Sequence, residues 1–314
     1  MDKPESLTIP FRLQRSVLAV PGSNTAMIEK AAASAADCVL LDCEDSVTPD
    51  QKSRARRNIV SALNEIDWKK AGKTVSVRIN GPESDQMQLD LSIIIEQAGT
   101  HINTIMIPKV STPKDVHTVE NLLLLGLQVS GLKHKIGLEC LIETALGLVN
   151  VEAIAYLSCE TNSSLEALHF GAADFSASCQ SGIATFGQSN DLWYPSLQRL
   201  LVACRAYGLR AIDGPYGNFR DPQGYIDVAK GAAEMGFDGK WAIHPSQIKL
   251  ANQVMSPTST EIKQAQRILD ALEQAQNSGQ GAISLDGNMV DAASGKWAAN
   301  IMNKTKLIAN KLCV

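Results

Sequence analysis

Eight times along this chain an apolar, β-rich run ends abruptly in polar residues, and a helix-like stretch follows. The runs are residues 16–20 before Pro21-Gly-Ser-Asn24, 38–41 before Asp42-Cys-Glu-Asp45, 74–77 before Arg78-Ile-Asn80, and 104–107 before Pro108-Lys109. The other four are residues 136–142 before Glu143, 167–170 before Gly171-Ala-Ala-Asp174, 209–212 before Asp213-Gly-Pro215, and 240–243 before His244-Pro245. Strand alternating with helix argues for a parallel sheet covered by helices. Eight such units over about 250 residues match the size of a (β/α)₈ barrel, the TIM barrel, whose active site lies at the carboxyl ends of the strands. Those ends are where the polar residues fall. A doubly wound open sheet is the alternative, but it usually carries a Gly-rich phosphate fingerprint after its first strand. Val20-Pro-Gly-Ser-Asn-Thr25 does not match one.

Two of the strand ends stand out. Residues 136–142 run into Glu143, and residues 168–170 run into Gly171-Ala-Ala-Asp174, so consecutive strands aim two carboxylates at one edge of the sheet. A hard divalent ion such as Mg²⁺ keeps several waters and needs only one or two protein carboxylates. The pair is therefore a candidate metal site. Each acid also has a plainer role open to it, capping a helix that starts at Thr144 or at Phe175.

Past Met255-Ser-Pro257 the character changes, which divides the chain into a barrel over residues 1–255 and an extension over residues 256–314. Residues 260–276 read as an amphipathic helix, with Ile262, Ala265, Ile268, Leu269 and Leu272 at helical spacing. A Gly-rich turn over residues 277–282 leads to Asp286-Gly287, a hairpin signal, and a last helix is expected over residues 292–309. Such a tail is either a cap over the barrel mouth or an arm for a neighbouring subunit.

Several classes are disfavoured. A formal charge of −4 leaves no basic surface for nucleic acid. No apolar run reaches the roughly 18 residues of a membrane span, and the greasiest stretch, residues 122–127, reads as a buried helix. Met1-Asp-Lys-Pro-Glu-Ser6 lacks the pattern of a secretory signal, so the expected location is cytoplasmic. Seven cysteines without a C-x-x-C pair suggest neither a zinc site nor a disulfide framework. Cys43, between two acids, is expected to have a raised pKa and to be a poor nucleophile.

Taken together, Arg15-Ser-Val-Leu-Ala-Val-Pro-Gly-Ser-Asn24, Leu41-Asp-Cys-Glu-Asp-Ser-Val47, Val77-Arg-Ile-Asn80, Met106-Ile-Pro-Lys-Val110, Ile142-Glu-Thr-Ala-Leu-Gly147, Phe170-Gly-Ala-Ala-Asp-Phe175, Gly239-Lys-Trp-Ala-Ile-His-Pro245 and Gly287-Asn-Met-Val-Asp291 resemble the HpcH/HpaI aldolase superfamily. The likeness is to its malyl-CoA and citramalyl-CoA lyase branch, with the citrate lyase beta subunit as a cousin. It spans nearly the whole chain in order. The resemblance implies a (β/α)₈ barrel in a homotrimer or homohexamer, with a carboxyl-terminal extension covering the active site of a neighbouring subunit. It also implies reversible Claisen cleavage of a 3-hydroxyacyl-CoA to acetyl-CoA or propionyl-CoA and glyoxylate or pyruvate, with coenzyme A as part of the substrate.

By the same resemblance Glu143 and Asp174 are the ligands of Mg²⁺, for which Mn²⁺ can substitute. Arg78 supplies a planar, permanently charged donor for the oxyanion; its plainer role is a structural ion pair with Glu44 or Asp45. Asp291 in the tail is the acid–base group at the α-carbon, although an Asp before Ala292-Ala-Ser is also an ordinary helix N-cap. Lys30, Asn24, Ala173, Ile243 and His244 correspond to CoA-binding positions, Asn24 standing where relatives can carry a basic residue. Glu44 and Asp45 are expected to orient Arg78 or metal-bound water, a role open also to Asp42 and Lys109. Residues 178–192 are shorter than the corresponding malyl-CoA lyase loop, which leaves substrate choice open. The alternatives are a malyl-CoA thioesterase, a citrate lyase beta-like subunit, and a non-catalytic acyl-CoA-binding assembly subunit. His101, His117, His134 and His169 show no metal spacing and receive no role.

Overall fold

The computed structural model describes residue 10 and residues 12–181, 190–277 and 281–312. It divides into two compact units, Met1–Met255 and Ser256–Val314. In the first, eight strands form a closed parallel barrel in chain order: β1 (Ser16–Pro21), β2 (Cys38–Asp42), β3 (Thr74–Arg78), β4 (Thr104–Ile107), β5 (Gly137–Ile142), β6 (Leu165–Phe170), β7 (Arg210–Asp213) and β8 (Gly239–Ala242). Closure comes from β1 pairing with β8, Ser16 opposite Lys240. Each strand lies within two residues of the run read from sequence, because each apolar stretch is followed by residues that leave the sheet.

The helices between strands are α1 (Thr25–Ala32), α2 (Lys52–Glu65), α3 (Gln86–Ala98), α4 (Pro113–Val129), α5 (Ala145–Val149), α6 (Val151–Tyr156), α7 (Ala172–Ser178), α8 (Tyr194–Tyr207) and α9 (Pro222–Met235), with α10 (Pro245–Val254) closing the ring. Two apolar cores result. The larger lies between strands and helices and includes Leu18, Val39, Val77, Ile94, Ile105 and Phe170. The smaller fills the barrel lumen with Val17, Cys38, Leu40, Met106, Leu141, Ile212 and Trp241. Strand side chains alternate between faces, so the residues that line the lumen are the set interleaved with those facing the helices. Below the apolar layer lies a polar floor, where Glu139 accepts from Gln14 Nε2 at 2.8 Å and from Arg210 Nη2 at 3.3 Å. Burial alone would raise the Glu139 carboxyl, but His169, Arg210 and Gln14 pull it down to about 2.

The expectation of a buried helix at residues 122–127 needs correction. In α4, Leu123 and Leu127 face the core while Leu124 and Leu125 are about half exposed, at 46% and 56%. The run is amphipathic at helical spacing, a pattern that consecutive leucines conceal.

The second unit holds α11 (Ser259–Asn277), a two-stranded hairpin of β9 (Ile283–Leu285) and β10 (Asn288–Val290), and α12 (Ala292–Leu312). The hairpin turn is Asp286-Gly287, with φ of 53° and 78°, the positive pair that a type I′ turn demands. Ala265, Ile268, Val290 and Ala298 form its core. Residues 278–280 of the expected Gly-rich turn lie outside the described residues, as do residues 182–189 of the loop after α7 and Cys313.

Candidate active site and metal centre

At the carboxyl ends of the strands, register determines the chemistry. Asp42 and Arg78 are opposite each other as the last residues of β2 and β3, and the Arg78 fork closes on Asp42 with Nε at 2.7 Å and Nη2 at 2.6 Å. Its Nη1 reaches Glu44 at 3.2 Å. The main partner of Arg78 is thus Asp42, in addition to one of the two acids expected; Asp45 turns instead to Lys109. Asp42 is held below the usual carboxylate range because Arg78, the Ser46 hydroxyl and the Glu44 N–H outweigh its burial. Arg78 is correspondingly raised, its acidic neighbours overcoming the cost of burial.

Lys109 ties two sides of the mouth together. Its ammonium bonds Glu44 and lies 3.0 Å from Asp45 Oδ1. Those acids raise its pKa against the opposing effect of burial. Its backbone N–H donates to Glu143 Oε1 at 2.8 Å, from a left-handed conformation with φ of 55°. A non-glycine residue there is strained, and such strain is concentrated at functional sites. Glu44 itself is raised, burial prevailing over Arg78 and Lys109.

Neither candidate metal ligand caps a helix in the way first considered. Thr144 caps α5 through its own hydroxyl, which accepts from Gly147 N at 2.9 Å, leaving Glu143 to point elsewhere. The helix after β6 begins at Ala172, three residues earlier than expected, and so places Asp174 inside its first turn. Glu143 is 2% exposed. Burial, then the charge of Asp174, push its carboxyl up to about 8, against the pull of Arg78 and the Lys109 N–H. Gly171 makes the close approach possible: a Cβ there would lie 2.5 Å from Glu143 Oε2.

These observations test the fit of a divalent cation. The charge of half-buried Asp174 acts on buried Glu143, and the Lys109 ammonium is engaged by Glu44 and Asp45. Like charges in a low-dielectric space favour protonation unless a cation intervenes. Among the described residues no group of three or more His, Cys, Asp or Glu forms a metal cage; a magnesium-type ion, completed by water and substrate, needs only one or two carboxylates. The residues fit Mg²⁺.

The other expected site residues come from four separate segments of the chain. Asn24 caps α1 by accepting from Met27 N at 3.1 Å; Lys30 is exposed in the same helix, and Ala173 is exposed in α7. His244 caps α10 through Nδ1 and stacks on Phe219, with ring centroids 4.8 Å apart, beside Ile243 at 40% exposure. Asp291, in the second unit, caps α12, its Oδ1 accepting from Ala293 N at 2.9 Å and Ser294 N at 3.1 Å. Those donors lower its pKa. Cys43 is fully buried, and burial, then Asp90 and Asp42, raise its thiol, as its sequence context suggests.

Sequence reasoning undervalued Asp42, Gly171 and the backbone of Lys109. Only Asp42 carried a usable signal, as the last residue of a strand adjacent to the one ending in Arg78. Among the described residues no helix is long and apolar enough to cross a membrane.

Comparison with known proteins follows the same lines. Residues 15–245 match the family described as HpcH/HpaI aldolase/citrate lyase, and residues 223–309 match one described as C-C bond lyase of the TIM-barrel fold. The L-malyl-CoA/beta-methylmalyl-CoA lyase of Cereibacter sphaeroides is 41% identical over 316 residues, covering 96% of this chain and 97% of that protein. The mitochondrial citramalyl-CoA lyase of Mus musculus is 34% identical over 302 residues, covering 95% and 88%. The crystal structure of protein CitE from Mycobacterium tuberculosis, in complex with magnesium, acetoacetate and coenzyme A, superposes with a TM-score of 0.73 at 27% identity, covering 93% of this chain and 98% of that one.

Proposed function

The chain belongs to the HpcH/HpaI aldolase/citrate lyase family, and on that premise we propose that it is a Mg²⁺-dependent carbon–carbon lyase. It reversibly cleaves a 3-hydroxyacyl-CoA, namely L-malyl-CoA, β-methylmalyl-CoA or citramalyl-CoA, to acetyl-CoA or propionyl-CoA and glyoxylate or pyruvate. The observation that carries this reading is the buried Glu143, coupled to Asp174 and adjoining the Arg78 cluster at the barrel mouth.

Glu143 and Asp174 would hold the ion, which when bound supplies a Lewis acid for the oxygens of the 2-oxo acid fragment. Arg78 directs positive charge at the oxygen on which negative charge develops as the C–C bond breaks. Asp42 and Glu44 hold three of its nitrogens, so little reorganisation is needed at the moment of reaction. Lys109 and Asp45 secure Glu44 in turn. As the bond breaks the substrate 3-hydroxyl gives up its proton to solvent and becomes the 2-oxo carbonyl, and the enolate left on the acyl-CoA takes a proton at its α-carbon, relayed from solvent by the Asp291 carboxylate.

Asp291 serves the site of a neighbouring subunit in a homotrimer or homohexamer, with residues 256–314 as the covering extension. Asn24, Lys30, Ala173, Ile243 and His244 line the path of the CoA handle. Its proposed place of work is the cytoplasm.

The test is a panel of the three thioesters with purified protein and Mg²⁺. Glyoxylate or pyruvate should appear together with the shorter acyl-CoA, and EDTA should stop the reaction. Free CoA with malate, or no product from any thioester, would overturn the lyase reading in favour of a thioesterase or a non-catalytic binding subunit.

A further inference from the structure

Trp241 occupies the lumen layer directly under the Arg78 cluster, although it comes from β8 and Arg78 from β3, strands that are not neighbours. The Arg78 guanidinium carbon lies over the indole, 5.7 Å from the ring centroid. The indole is 4% exposed, and its Nε1–H donates to His169 Nδ1 at 2.8 Å. Because His169 accepts at Nδ1, its ring proton resides on Nε2. That nitrogen, wholly buried, sits 3.3 Å from Glu139 Oε2 but is not aligned for a hydrogen bond. A histidine present only to stabilise the core would satisfy both nitrogens. Here the well-formed bond goes to the indole, and the other nitrogen faces the Glu139 carboxylate at 3.3 Å.

We propose that Trp241 is a positioning residue for Arg78, with His169 and Glu139 setting the plane of its ring from the barrel floor. Carboxylates grip the guanidinium by its edge: Asp42 holds Nε and Nη2, and Glu44 faces Nη1. Edge bonds alone permit the plane to rock, and an indole beneath the guanidinium carbon, 5.7 Å away, opposes that motion. A cation over an indole is attracted to the ring face, most strongly where water is excluded. Glu139, gripped by Gln14 and Arg210, anchors the far end of the column.

The inference rests on Arg78 acting in the reaction, and a double-mutant cycle on kcat separates the two. W241F should lower kcat about five- to tenfold while leaving the thioester KM within about twofold, the loss expected from one face contact felt in the transition state. In an R78K background the same change should alter kcat by less than about twofold, since the fork it positions is gone. Fully additive losses, or a W241F enzyme that loses only thermal stability, would overturn the positioning role while leaving the function of Arg78 standing. Unchanged kcat in R78K alone would remove the Arg78 assignment and the Trp241 role with it. If W241F does not fold, H169F, which removes the acceptor, should lower kcat, and H169N, which returns an acceptor oxygen near Nδ1, should recover part of it. Equal kcat in those two variants would refute the column.

Discussion

Replacing Gly171 by Ala perturbs the candidate metal centre by a single methyl group. Gly171 has no positive φ that would make alanine unfavourable, so the consequence is purely one of space. The added Cβ would lie 2.5 Å from Glu143 Oε2 and 2.6 Å from Glu143 Cβ, where ordinary contact begins at 3.4 Å. The carboxylate must therefore retreat by about 0.9 Å, while Lys109 N still holds Oε1 at 2.8 Å. Overpacking of this kind costs about 1–3 kcal/mol of stability, and a misplacement near 1 Å at a reacting centre costs about a hundredfold in rate. The assay pairs thermal unfolding with kcat and a Mg²⁺ titration by calorimetry. The expected result is a folded protein whose turnover falls by about two orders of magnitude and whose Mg²⁺ affinity falls by about ten- to a hundredfold. Wild-type affinity and turnover in Gly171→Ala would show that Glu143 needs no fixed position, and the reasoning would fail.

Three further outcomes are expected. Glu143, pushed up to about 8 by burial and Asp174, must release a proton to bind a cation. Mg²⁺ affinity should therefore rise with pH up to and through pH 8 and level off only above it, and a flat profile between pH 6 and 8 would contradict the assignment. The sign for the metal-free protein is opposite: between the ordinary carboxylate value and about 8 the folded state binds a proton that the unfolded state does not, so Glu143 lowers stability as pH rises through that window. Thermal unfolding without metal, compared between wild type and Glu143→Gln, reads that slope. Asp291→Asn separates capping from chemistry, because Asn caps a helix about as well as Asp but cannot shuttle the proton. Its unfolding temperature should match wild type while kcat drops about 10²- to 10⁴-fold; undiminished turnover would leave Asp291 as a cap alone.

Much of the barrel was legible because its signal is local. A β-branched run that stops at Asp42, Arg78 or Glu143 marks both the strand and the end that carries chemistry, and the hairpin at Asp286-Gly287 is written in two residues. What escaped is what depends on register and depth. Asp42 meets Arg78 only because β2 and β3 end in step. Asp174 lies within a helical turn because the chain bends at Gly171, which a count of apolar residues does not reveal. The floor joins Gln14, Glu139 and Arg210 from three distant parts of the sequence, and no spacing rule connects them. His169 received no role from its sequence context, since its partner Trp241 lies 72 positions away.

The most direct test of the account is a crystal of the protein soaked in Mn²⁺ and examined by anomalous scattering. One strong peak is expected, bonded to a carboxylate oxygen of Glu143 and to one of Asp174, at a distance close to the ~2.1 Å of a small divalent ion with oxygen ligands. Mn²⁺ bound elsewhere, or a peak that touches only one of the two acids, would contradict it.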